Sequence, residues 1–138
     1  MTSTERWRIR DKRGFLRAAM EQLAGNARIS FEGDLGATRL SELDGRCNET
    51  TASLKRGTIW PKLAFVILPL EANSIQSILA ALGGTVPNGI EHIQIEKAGK
   101  LELGLYDSCH PSAIFFGPGL SAEFLESCRS KGLLARIR

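Results

Sequence analysis

Reactive side chains are scarce in this chain: its 138 residues include two histidines, three cysteines and one tyrosine. Cys47, His92, Cys109, His110 and Cys128 show no closely spaced ligand pairs of the kind a structural zinc site uses, so neither a metal nor a cofactor is expected. Long apolar runs are missing as well. The longest, LAFVILPL at 63–70, falls far short of the roughly 20 residues that span a bilayer. The opening MTSTERWRIRDKRG has no apolar stretch of secretory length. These absences exclude a helical membrane protein and imply a cytoplasmic one, in which an odd set of three thiols stays reduced. Phosphate-binding signatures are absent too. Gly117-Pro118-Gly119-Leu120-Ser121 follows an apolar run and opens a helical pattern, but no lysine follows as a clamp, and it reads as a tight turn before an N-cap.

What is present is ordinary globular material, 43% hydrophobic and 24% charged, at a length that suits one domain spanning residues 1–138. The net charge of +3 is unevenly spread. Residues 1–17 and 129–138 are each strongly basic, and the body between them is acidic. Such polarity steers a charged partner.

Arg6-Trp7-Arg8-Ile9-Arg10 alternates basic with apolar residues, as a half-buried edge strand does. Asp11 caps a helix carrying Phe15, Leu16, Ala19, Met20 and Leu23 on one face, with Gly25 ending it. Ala27 to Glu32 alternates again, as a second half-buried strand. The span from Gly33 to Lys62 is long for a structureless loop, so a helical turn near Leu40 to Leu43 and a short strand near Thr50 to Leu54 are expected there. Leu63 to Leu68, apolar at every position, implies a strand covered on both faces and placed at the sheet centre. Asn73 and Gln76 suggest a capping box for a helix carrying Ile75, Ile78, Leu79 and Leu82. Ala113 to Phe116 reads as a second buried strand, and Ser121 as the N-cap of a third helix ending at Gly132. Leu133 to Arg138 forms a last short strand.

Between them lies a hairpin. Ile93 and Ile95 share one parity with Leu101, Leu103 and Leu105, so a three-residue loop, Lys97 to Gly99, is expected to pair Ile95 with Leu101 and Glu96 with Lys100. His92 then faces Gly104, and His92, Gln94, Glu102 and Tyr106 form a polar face open to solvent. The implied fold class is α+β: a single domain with a mixed or mainly antiparallel β-sheet and about three α-helices.

Three functions compete. The polar face, extended by Asp107 and His110, suits a non-catalytic module that occludes or holds another protein, as a toxin-neutralising immunity protein does. Cys109 with His92 as base would make a thiol enzyme, although the adjacent Cys109 and His110 point to opposite sides of an extended segment. Arg6, Arg8 and Arg10 beside Trp7 could bind nucleic acid, whereas arginines on a terminal strand also guard an edge against aggregation. The protein-binding reading is preferred because nothing in the motifs demands catalysis.

Overall fold

The computed structural model describes residues 6–137. Arg6–Ile9 forms the first strand, β1, with Trp7 and Ile9 buried and Arg6 and Arg8 exposed. Asp11 caps the helix Lys12–Leu23 (α1), accepting a hydrogen bond from the Gly14 amide at 2.9 Å, and all five residues of its apolar stripe are buried. The helix stops before Gly25, whose φ of +104° needs no Cβ. Its last carbonyls are satisfied from afar: the Lys97 ammonium donates to the carbonyls of Leu23, Ala24 and Gly25 at 2.9, 3.1 and 2.6 Å.

Five antiparallel strands follow: Ala27–Gly33 (β2), Ala64–Leu70 (β3), Ile90–Lys97 (β4), Lys100–Leu105 (β5) and Ile114–Phe116 (β6), in the order β3-β2-β4-β5-β6. Helix Ile75–Leu82 (α2) joins β3 to β4. Helix Ala122–Ser130 (α3) leads to Leu134–Ile137 (β7), which pairs with β1 as a separate two-stranded ribbon. The fold is therefore α+β, mainly antiparallel, with three α-helices among the described residues.

One sheet face is apolar. Ile29, Phe31, Val66, Leu68, Leu70, Ile93, Ile95, Leu103 and Leu105 form a single core with the inward stripes of the three helices and with Trp7, Ile9 and Leu134. The Phe15 ring sits at its centre, 5.7 Å from Phe116 and 6.4 Å from Phe124. The other face carries a small cluster of Leu54, Phe65 and Ile67 and a row of polar residues, covered by a strap drawn from the segment between β2 and β3.

Several elements differ from the sequence reading. β3 is an edge strand rather than the sheet centre. Its run is apolar because helices cover one face and Leu54 the other, and an edge tolerates Pro69, which has no N–H to donate. β2 is buried on both faces, because Ser30 and Glu32 lie beneath the strap. β6 is the opposite edge, with Phe115 43% exposed. Leu40–Glu42 forms the expected turn as one 3-10 turn, but residues 50–54 form no strand. The segment instead contributes a lone bridge, Cys47 opposite Ile67. The capping box before α2 is Glu71 with Ser74, not Asn73 with Gln76. Ser121 caps α3 as expected, accepting from the Phe124 amide. Of the last strand, Arg138 lies outside the described residues.

The hairpin register is also different. Ala98 and Gly99, at φ +52° and +79°, make a two-residue turn, the geometry that matches strand twist. Lys97 faces Lys100 and Glu96 faces Leu101; Glu102 is then an extra residue, and Ile95 faces Leu103. The parity conflict is thus resolved by a bulge within β5 rather than by the loop. Leu101 packs with the strap-side cluster, and Gln94 rather than His92 faces Gly104.

Candidate functional site

The polar face read from the sequence is not open to solvent. His92, Gln94 and Glu102 are 4%, 3% and 9% exposed, and Tyr106 is half-buried. For His92 and Gln94 the cause is the strap, which spends its own polar groups on this row. Thr51 Oγ1 donates to the Glu96 carboxylate at 2.6 Å, and Gln94 Nε2 donates to the Lys55 carbonyl at 2.6 Å. Glu32, 1% exposed, accepts from the Gly57 and Thr58 amides at 2.7 and 3.3 Å. Tyr106 donates to Gln94 Oε1 at 3.1 Å, and burial pushes its phenol pKa up. Every fully buried side-chain nitrogen or oxygen among the described residues has a partner, which is how a buried polar layer avoids its desolvation cost. The bulge separates Glu102 from this row. Its carboxylate rests against Gly117 and Gly119, where a Cβ would collide with it. A carboxylate there opposes an anion at the turn before α3.

His92 is fully committed. Its Nδ1 accepts from the Asp107 amide at 3.3 Å, so in the neutral ring Nε2 carries the hydrogen and donates to Thr58 Oγ1 at 2.7 Å. No ring nitrogen remains to act as a base for Cys109. Asp107, Ser108 and Cys109 form a left-handed run at φ +51°, +57° and +68°, a conformation that disfavours side chains by about 1–2 kcal/mol per residue. It is held by the Asp107 bond to His92 and by the Ser108 amide on the Glu91 carbonyl at 2.9 Å. The run turns Cys109 against the core. Burial raises its thiol pKa, with Lys12 acting weakly the other way, which is the opposite of what an activated thiol requires. Asp107 and His110 are exposed. His110 caps the following turn, its Nδ1 accepting from the Ser112 amide.

Arg6, Arg8 and Arg10 are exposed, and pairing of β1 with β7 brings the two basic ends of the chain together. Trp7, however, is 7% exposed with the Arg136 guanidinium over its ring. The aromatic needed for base stacking is therefore withdrawn from that face.

The residues the sequence reading overlooked are Ile59 and Trp60. They are 90% and 86% exposed, side by side at the tip of the strap. The tip is held at its neck. The Arg56 guanidinium donates to the Leu63 carbonyl at 2.7 Å and lies 4.9 Å above the Phe65 ring, while Gly57 and Thr58 are tied to Glu32 and His92. The Trp60–Pro61 peptide is cis, and exposed Lys55 and Lys62 flank the tip. A large apolar pair in a stretch with no helical or strand period was the available signal: nothing in that segment could have buried it. No family model, curated protein or solved structure matches this chain.

Proposed function

We propose that this protein is a non-catalytic module that binds another protein, with Ile59 and Trp60 as its anchor. The observation that carries this reading is the pair's exposure, 90% and 86%, on a loop fixed from behind. Tryptophan is among the residues most often dominant in interfaces, and a loop already held in place loses little conformational entropy on contact. Burial of a Trp side chain of about 150–250 Å² would contribute roughly 4–6 kcal/mol before association costs. The proposed contact replaces the hairpin face as the binding surface. Asp107 and His110, exposed beyond the strap, remain available to its periphery. The proposed setting is the cytosol, which suits three unpaired thiols. Occluding a toxin, as an immunity protein does, is the narrower form of the proposal: it requires only a stable body and a projecting anchor.

A photo-crosslinking residue placed at position 59, with one at exposed Glu71 as control, tests the proposal in the native cell. One dominant protein adduct from position 59, absent from position 71 and lost on Trp60→Ala, is expected. Trp60→Ala should weaken binding by about 30-fold or more and leave the unfolding midpoint unchanged. Equal capture at both positions overturns the reading, and so does a nucleic-acid adduct.

A further inference from the structure

We propose that the outer edge of β6, with the groove beside it, takes an extended acidic segment of a partner protein as an added strand. This rests on the protein-binding reading and places a second contact away from the Trp60 tip. The argument begins with the hydrogen-bond pattern. The Tyr106 amide donates to the Ala113 carbonyl and the Gly117 amide to the Glu102 carbonyl. With Ile114 opposite Leu105 and Phe116 opposite Leu103, antiparallel alternation then directs the N–H and C=O of Ile114 and Phe116 away from β5. No partner among the described residues meets them.

Among the described residues nothing guards this edge. Natural edges are blunted by lysine, proline or a covering segment, and the opposite edge of the sheet has both Pro69 and the Cys47 bridge. β6 reads Ile-Phe-Phe, with Phe115 43% exposed. Alongside it lies a cavity of about 570 Å³ lined by Trp7, Ile114, Phe116, Leu120 and Leu125, with Arg6 and Ser112 also on its wall. An added strand would lay alternate apolar side chains into this cavity. Arg6 and Arg8 are exposed and meet no carboxylate among the described residues, so the complementary segment is acidic. A second copy of this chain fits poorly, because edge-to-edge pairing would bring two arginine-bearing ribbons together.

The test uses the Trp60→Ala protein, so that failure at the tip and failure at the edge are separable. The probe is a synthetic peptide of alternating glutamate and valine, with a lysine–valine peptide as its counterpart. The acidic peptide at up to about 1 mM should shift the Ile114 and Phe116 amide resonances and slow their exchange. The lysine peptide should bind at least about tenfold more weakly. Ala122→Trp, which fills the groove from an exposed position, and Arg6→Glu should each abolish the effect while the remaining spectrum stays native. Unperturbed Ile114 and Phe116 amides, equal binding of the two peptides, or dimerisation through this edge without peptide would each overturn the proposal.

Discussion

Replacing Glu32 by glutamine tests whether the strap is held by its polar under-surface. Glu32 is 1% exposed and accepts from the Gly57 amide at 2.7 Å and the Thr58 amide at 3.3 Å. Glutamine keeps one acceptor oxygen and turns an NH₂ group toward the other donor. Losing the longer bond costs about 1 kcal/mol, and converting the shorter from charge-assisted to neutral costs about another 1 kcal/mol. A total of about 2 kcal/mol corresponds to roughly 30-fold in the opening equilibrium. Native-state hydrogen exchange at Gly57 and Thr58 reads this directly: both amides should exchange about 30-fold faster, while amides of Ile29 and Ile95 change little, because strap opening is local. Unchanged exchange at Gly57 and Thr58 would refute the role of the carboxylate. Equal acceleration across the sheet would refute the strap's independence.

Lys97→Met removes the donor shared by three carbonyls at the end of α1; the urea midpoint should fall by the equivalent of about 2 kcal/mol with an unchanged slope. Gly119→Ala drives a methyl group into the Glu102 carboxylate and should cost about 1–3 kcal/mol. Adding Glu102→Ala should recover part of that loss in a double-mutant cycle, and strict additivity would show that the two do not touch. Burial raises the thiol pKa of Cys109 and Cys128 above the ordinary thiol value, so iodoacetamide at mildly alkaline pH should label exposed Cys47 well before either. Because the folded state holds these protons longer than the unfolded state, their contribution to stability is intact below the unfolded thiol pKa of about 8.5 and is lost as pH rises through the folded values; a midpoint that rises over that range would contradict the sign.

Local chemistry was readable in the sequence where a single element decides it. The Asp11 cap, the five-residue stripe of α1, the Ser121 cap and the alternation of β1 each depend on near neighbours, and the structure has them all. What failed depends on distant coverage. The apolar run of β3 records that both faces are covered, but an edge strand under a strap satisfies that as well as a central one does. The row of His92, Gln94, Glu102 and Tyr106 looked like a solvent face because the segment that covers His92 and Gln94, residues 47–63, has no period to announce it. The hairpin failed for a different reason: Leu103 and Leu105 do share a face with Ile93 and Ile95, but a bulge at Glu102 restores that parity as well as a longer loop would, and it turns Leu101 to the strap side instead.

The strap explains why the proposed binding surface lies at its tip rather than on the hairpin face. A covering segment held by apolar packing alone can slide, since burial is non-directional. Here only Leu54 is fully buried from the strap, and the remaining attachment runs through directional bonds: the Cys47–Ile67 bridge, Ser53 to the Gly99 carbonyl, and the bonds to Glu32, His92, Gln94 and Glu96. Each bond fixes one strap residue against one sheet residue, and a shift by one position would leave several buried groups unpaired at about 1–3 kcal/mol each. The polar row thus makes one strap position far more stable than its neighbours. That leaves the four residues beyond the neck, 59–62, without a share in the core, and Ile59 and Trp60 are large apolar side chains that the fold itself does not use. Substitutions in the buried row should accordingly weaken binding through misplacement of the tip, and by less than Trp60→Ala, which removes the contact itself.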